Sequence, residues 1–328
     1  MTALTYDDIQ LVPEYSDIPS RTEISLRSKI TKNFSLDVPI IAAPMPTVCG
    51  YDMAKRLMEL GAIGCIHRFM SIQEQADIVK KLNNSDYPVM AAVGANGDYL
   101  ERTQELINAG VDIIIIDVAH GHHENVKKAI TTIKSIFSGE IIAGNIATFR
   151  AAMDLEEWGA DALRVGIGGG SLCTTRIKTG FGIPNVTCIQ EIANIATIPI
   201  IADGGIRTTG DMAKALAMGA SAIMVGSMIA GTDESPGMLI NKSTGLYKKY
   251  SGAASFDTKM THGQAIRNIE GESTIIPYKG KVENIINDIK DGLSSAFSYA
   301  GAYNIDQFNP DYVQITNAGL NEAKPHLI

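Results

Sequence analysis

The sequence predicts a (β/α)₈ barrel, and three observations carry that prediction. Eight short β-branched runs each end in or near Gly, Asp or Asn, and a helical stretch follows each. Their starts are spaced by roughly 26 residues, the length of one strand, one helix and two short loops. The runs are almost continuously apolar, as parallel strands buried on both faces must be.

In order, the runs are Pro39-Ile-Ile-Ala-Ala-Pro44, Ala62-Ile-Gly-Cys-Ile66, Pro88-Val-Met-Ala-Ala-Val93 and Val111-Asp-Ile-Ile-Ile-Ile-Asp117. Then come Glu140-Ile-Ile-Ala-Gly144, Asp161-Ala-Leu-Arg-Val165, Ile198-Pro-Ile-Ile-Ala-Asp203 and Ser221-Ala-Ile-Met-Val225. The first linking helix is expected over Asp52-Met-Ala-Lys-Arg-Leu-Met-Glu-Leu, where apolar residues recur at helical spacing and Gly61 ends the helix. Asn108-Ala-Gly110, Glu157-Trp-Gly159 and Ala217-Met-Gly219 repeat that punctuation. The eighth helix is expected from Val282. An open doubly wound sheet is the alternative, but it rarely needs eight regular units. No GxGxxG follows the first run, which disfavours a Rossmann domain.

One domain over 1–328 is expected. Residues 1–38 form an N-terminal extension, and residues 227–281 an inserted active-site loop or flap after strand eight. That insertion leaves from the C-terminal rim, where barrels of this kind place their chemistry.

Composition narrows the class. Of 328 residues, 45% are hydrophobic and 20% charged, an ordinary globular balance. A net charge of −8 argues against non-specific nucleic-acid binding but not against a small phosphate, which backbone amides bind locally. No apolar run is long enough to span a bilayer, and the opening Met1-Thr-Ala-Leu-Thr-Tyr lacks the blocks of a signal peptide. A cytoplasmic location without membrane contact is therefore expected. Cys49, Cys65, Cys173 and Cys188 form no CxxC pair and read as thiols.

The chemistry gathers at strand ends. Strand six runs into Gly166-Ile-Gly-Gly-Gly-Ser-Leu-Cys-Thr-Thr-Arg176, with six glycines between positions 166 and 182. Such a loop turns its amides and carbonyls toward a ligand, and Cys173 within it is a candidate nucleophile. The bland alternative is a flexible loop with an incidental Cys. Gly204 and Gly205 after strand seven, and Gly226 and Ser227 after strand eight, occupy the usual phosphate site of this fold. Asp203 offers two acceptors for ribose hydroxyls, or else caps the next helix. His120, His122 and His123 after strand four invite a metal reading, but they do not make the i, i+4 face of a zinc helix. Cofactor contacts or plain rim residues suit them better.

The Gly166–Arg176 loop, Asp203-Gly-Gly-Ile-Arg207, the opening Leu4-Thr-Tyr-Asp-Asp-Ile-Gln-Leu-Val-Pro13 and Pro277-Tyr-Lys-Gly-Lys-Val282 resemble the IMP dehydrogenase/GMP reductase family. The resemblance covers essentially the whole chain. It implies a Cys173 thiolate that attacks C2 of a purine nucleotide and forms a covalent thioimidate. It implies that Ser171, Gly205, Gly226, Ser227 and Tyr250 hold the phosphate and Asp203 the ribose, with Gly204 among the substrate-binding residues. Gly252, Arg267 and Gly271 are expected beside the substrate, and Thr47, Asp117, Ala119, His120 and Gly121 beside a nicotinamide cofactor. The carbonyls of Gly168, Gly170 and Cys173 would help to bind a monovalent cation such as K⁺, and a homotetramer is implied.

Within the family, three features favour reduction of GMP to IMP by NADPH over oxidation of IMP by NAD. Ile66-His-Arg-Phe-Met70 runs straight on toward strand three, where dehydrogenases typically insert regulatory CBS modules. The 18 residues between Gly252 and Gly271 contain no Arg-Tyr pair, which the dehydrogenase uses to activate water. Glu270, with an Arg three before it and Gly271 after it, matches the reductase's acid, which works with Thr175 to protonate departing ammonia. Other features point to the dehydrogenase: the tail from Asn317 and Met70-Ser-Ile-Gln-Glu-Gln75. Ala253 and Ala254 stand where many members have Met and Ser, and Pro46 replaces a common Asp. A dehydrogenase without CBS modules is the alternative, and a catalytically idle nucleotide-binding protein a third.

Overall fold

A computed structural model describes residues 2–83, 87–261 and 269–323. Eight parallel strands close into a barrel in sequence order, strand eight pairing with strand one through Ile223–Ile40, Met224–Ile41 and Val225–Ala42. They are Ile40–Ala42, Ile63–Ile66, Met90–Val93, Ile113–Asp117, Glu140–Ile146, Ala162–Val165, Ile200–Asp203 and Ala222–Val225. All eight expected runs are strands. The outer edges differ by a residue or two, and strand five extends to Ile146.

The apolar runs are explained by two cores that share each strand. Ile113 and Ile115 point inward, with Ile41, Ile63, Met90, Ile142, Ile201 and Met224. Ile114 and Ile116 point outward, under Leu106, Val126, Ile130 and Ile133 of the surrounding helices. Each fully buried side chain of this kind contributes about 1.5–3 kcal/mol. The four glycines expected to end helices, Gly61, Gly110, Gly159 and Gly219, all have positive φ, from +82° to +108°. That left-handed turn costs a residue with a Cβ and costs glycine little, so it returns the chain to the next strand within a few residues.

The N-terminal extension closes the barrel at the end opposite the strand C-termini. Ser28–Lys29 and Ser35–Leu36 form a small antiparallel hairpin, and Ile30, Phe34 and Leu36 pack on the inward core. Asn33 at its tip donates from its backbone and side chain to the Glu140 carboxylate at the start of strand five. Farther along, Ile9–Leu11 pairs antiparallel with Tyr312–Gln314.

After strand eight the chain makes more than a loop. Ile240–Lys242, Gly245–Ser251 and Ser273–Pro277 form a three-stranded antiparallel sheet, with a short helix, Phe256–Thr261, inside it. The polar, Gly-rich composition hid these strands, and the last two pair across a long stretch, from Ser251 with Ser273 to Tyr247 with Pro277. The eighth helix is Val282–Tyr299. Among the described residues, no helix is long and apolar enough to cross a membrane.

Candidate active site

A cavity of about 550 Å³ opens at the C-terminal ends of the strands. The loop after strand six forms one wall, and where it meets the end of strand seven backbone packs on backbone. A Cβ on Gly166 would lie 2.0 Å from the Asp203 carbonyl oxygen, and one on Gly204 3.0 Å from Gly169 C and Gly170 N. The buried Asn185 amide ties the same region, donating to the carbonyls of Asp203 at 2.9 Å and Gly204 at 2.6 Å.

Cys173 is partly exposed in this wall, and the insertion lies across it. Thr174 N–H donates to the Glu270 carbonyl, and Glu272 N–H to the Leu172 carbonyl, both at 2.9 Å, so Cys173 and Gly271 face each other in an antiparallel bridge. That ladder aligns three side chains from distant sequence. The Cys173 thiol donates to Thr175 Oγ1 at 3.1 Å, and the Thr175 hydroxyl donates to Glu270 Oε2 at 2.7 Å. The other free thiols, Cys49, Cys65 and Cys188, are buried, and burial pushes Cys188 up to about 12. Cys173 alone of the four lines the cavity.

Ser171, Gly205, Gly226, Ser227 and Tyr250 line one region of the same cavity. Ser171 Oγ and the Tyr250 phenol are 3.1 Å apart, and a Cβ on Gly226 would come within 3.2 Å of that phenol oxygen. Burial raises the Tyr250 pKa, with the Ser171 hydrogen bond acting against it. These hydroxyls beside rim glycines form a polar cradle suited to a phosphate.

A charged network crosses the cavity floor. Arg164, on strand six, donates from Nη1 to Asp117 Oδ1 at 2.5 Å and from Nε to Asp203 Oδ2 at 2.9 Å. The Asn145 amide donates to the same Asp203 oxygen at 2.7 Å and to the Gly166 carbonyl at 2.8 Å. Arg68 Nε lies 3.7 Å from Asp117 Oδ2. Burial works against the charge on Arg164, but Asp203 and Asp117 more than offset it and raise its pKa. Asp203 is not a helix cap, because Thr208 and Asp211 form the capping box of the following helix, Thr209–Ala217. The carboxylate of Asp117, with Val118 and Ala119 beside it in the cavity wall, fits a second ribose diol, as a nicotinamide cofactor would present.

The expected residues do not all converge. Cys173, Thr175, Glu270, Ser171, Asp203, Gly204, Gly205, Gly226, Ser227, Tyr250, Gly252, Gly271, Asp117, Ala119, Gly168 and Gly170 line the cavity. Thr47, His120 and Gly121 are not among its lining residues. The Thr47 hydroxyl accepts from Ser251 N–H at 3.0 Å and so seats the insertion on the rim. Gly121 packs beneath Asn145, whose carbonyl accepts its N–H at 2.7 Å. His120 is largely exposed, and partial desolvation of its ring, then His122 and His123, lower its pKa. His122 pairs with Asp154 at 2.6 Å and His123 caps the helix Glu124–Ile136, so the three rings serve separate ends. Among the described residues there is no cluster of three His, Cys, Asp or Glu that could hold a metal ion. Arg267 lies outside the described residues.

Arg164, Asn145 and Arg68 escaped the sequence reading. The usable signal was Arg164 itself, a guanidinium inside a run otherwise apolar enough to be buried on both faces.

Comparison with known proteins agrees with this architecture. Residues 3–326 match the profile of the IMP dehydrogenase / GMP reductase domain. An inosine-5'-monophosphate dehydrogenase of Cryptosporidium parvum is 38% identical, over 98% of this chain and 94% of its own. One of Nitrosopumilus maritimus is 34% identical, over 98% of each chain. A GMP reductase of Lactococcus lactis subsp. cremoris is 36% identical, over 96% of each. The alignment to the Nitrosopumilus dehydrogenase runs to 465 residues against 328 in this chain, so that relative carries inserted sequence that this chain lacks. The alignment to the reductase spans 322 residues. With the profile matched along nearly its whole length and both kinds of relative aligned end to end, the chain belongs to the IMP dehydrogenase/GMP reductase family of oxidoreductases.

Proposed function

We propose that the protein reduces GMP to IMP with NADPH and releases ammonia. The observation that carries this reading is the file of thiol, hydroxyl and carboxylate in Cys173, Thr175 and Glu270. A purine amino group leaves only when protonated, and this file supplies the proton. The Cys173 proton passes through the Thr175 hydroxyl to Glu270, which frees the thiolate to attack C2 of the purine. Glu270 then returns the proton through Thr175 to the amino group. The C2–N bond breaks, ammonia departs, and a thioimidate joins C2 to Sγ. Bound NADPH supplies the hydride that reduces C2. Cys173 leaves as thiolate, IMP is released, and solvent restores the thiol and converts ammonia to ammonium.

Asp203 receives the ribose hydroxyls, with Oδ2 held by Asn145 and Arg164. Ser171, Ser227, Tyr250 and the amides of Gly205 and Gly226 receive the phosphate. Asp117 and Ala119 receive the cofactor. The carbonyls of Gly168, Gly170 and Cys173 would hold a monovalent cation such as K⁺, which is checked by comparing rates in potassium and sodium salts. The working form is a homotetramer, which light scattering measures.

Two assays decide. GMP with NADPH should lose absorbance at the nicotinamide band and yield IMP. IMP with NAD should yield little or no xanthosine phosphate. A second reading, IMP dehydrogenase, is favoured by the relatives of that name at 34–38% identity. Against it stands the stretch from Ala253 to Glu270, which contains no Arg-Tyr pair to activate water. Xanthosine phosphate made from IMP at a rate comparable to GMP reduction would establish the second reading.

A further inference from the structure

We propose that Arg164 is a positioning residue that couples the two ligand sites, so that binding of the nucleotide tightens binding of the cofactor and the reverse. The inference rests on the functional reading above for which ligand meets which carboxylate. Its basis is that one guanidinium serves both carboxylates at once.

Arg164 is 9% exposed at its side chain, Asp203 19% and Asp117 13%. The three side chains therefore sit in a floor with little water to screen them. Nη1 binds Asp117 and Nε binds Asp203, so the planar fork links the end of strand four to the end of strand seven. The two strands are not neighbours in the barrel, and no backbone ladder joins them. Within the floor the guanidinium of Arg164 is the side chain that binds both carboxylates. Asn145 holds Asp203 as well and donates its backbone N–H to the Val118 carbonyl beside Asp117, and Arg68 faces Asp117.

A ribose diol that engages Asp203 must find that carboxylate in one rotamer. The three side chains are already paired, so any shift of Asp203 toward a ligand shifts the guanidinium bound to it, and the guanidinium shifts Asp117. The first ligand bears the cost of moving the paired unit, and the second meets a carboxylate already moved. Because coupling is reciprocal, either order of addition gives the same factor. The purely structural alternative, in which Arg164 only neutralises two buried carboxylates, predicts no dependence of one affinity on the other ligand.

The test is calorimetric titration of the full-length protein carrying Cys173→Ala, which cannot form the thioimidate, with GMP alone and in saturating NADP⁺; this protein is the parent for the comparison. The parent should bind GMP about fivefold or more tightly when NADP⁺ is present. Arg164→Lys keeps the charge but cannot span two carboxylates with a rigid fork. In that variant the ratio should fall to near one, while GMP and NADP⁺ each still bind. A ratio of one in the parent, or an undiminished ratio in Arg164→Lys, overturns the proposal. If Arg164→Lys does not fold, Asp117→Asn takes its place. It weakens the same link from the cofactor side, and a ratio equal to the parent's would again overturn the proposal. Failure of the parent to bind GMP or NADP⁺ at all sinks the functional reading and this inference together. Loss of the coupling alone leaves both ligands bound and sinks only the inference.

Discussion

The candidate site has two halves built in different ways. One half belongs to the barrel: Asp117, Asn145, Arg164 and Asp203 stand in the last two residues of strands four, five, six and seven, joined by the two ion pairs of Arg164 and a hydrogen bond from Asn145. The other half forms where the loop after strand six meets the insertion, held by the two backbone hydrogen bonds of the Cys173–Gly271 bridge and by the Thr175–Glu270 and Ser171–Tyr250 hydrogen bonds. The barrel half rests on strands that the closed barrel pairs on both sides, so it is the stiffer one. It carries the groups proposed to hold the ribose rings. The junction carries the groups proposed to make and break bonds, so the thiol, hydroxyl and carboxylate align only when the insertion is seated. This division lets a rigid scaffold fix the ligand while the chemical groups assemble over it.

Mutations can break that contrast, beginning with the largest effect. Cys173→Ala should lower kcat by a factor on the order of 10⁵–10⁶ while leaving GMP affinity within about threefold, as calorimetry would record. A parallel loss of binding would mean that the junction also holds the ligand. Next, Glu270→Gln should slow ammonia release by about 10²–10⁴-fold and hydride transfer to a preformed thioimidate far less. Single-turnover quench separates the two steps, and equal slowing of both would remove Glu270 from the proton path. Asp203→Asn tests the barrel half. It should raise KM for GMP about 10–100-fold, with kcat much less affected, because a charged hydrogen-bond acceptor for the ribose is lost. A loss confined to kcat would place Asp203 in the chemistry instead. The smallest effect is expected of Gly271→Ala. The added Cβ would lie 3.1 Å from Ser255 N and 3.3 Å from Ala254 C, so the ladder must shift by a few tenths of an ångström. Turnover should drop by about threefold to tenfold with GMP affinity unchanged, because small misplacement of reacting groups lowers rate before it lowers binding. An unaltered rate would show that the register of the ladder does not matter.

Much of this was legible in the residues. The eight runs, the glycine-terminated helices and the location of the cavity at the C-terminal rim all follow from local pattern, because strand burial and left-handed helix ends leave local signatures. Glu270 and Thr175 were legible through family resemblance, although 95 positions separate them. The sheet after strand eight was not legible. Its strands Gly245–Ser251 and Ser273–Pro277 pair across a long intervening stretch, and its exposed, polar positions carry little periodicity. Thr47 illustrates a different difficulty. A rim threonine reads equally well as a ligand contact or as a backbone anchor, and only its neighbour, Ser251, distinguishes the two.

The sequence by itself determined the barrel, because each strand-and-helix unit declares its burial through residues close together in the chain. It also determined which residues could be nucleophile, phosphate cradle and ribose acceptor, because glycine loops and carboxylates at strand ends limit what those places can do. The tertiary structure alone decided that Arg164 joins Asp117 to Asp203, that Asn145 shares the same carboxylate oxygen, and that the insertion seats on the Cys173 loop. Those are pairings between side chains and edges brought together by closure of the barrel, and no local pattern records a partner that lies tens of residues away.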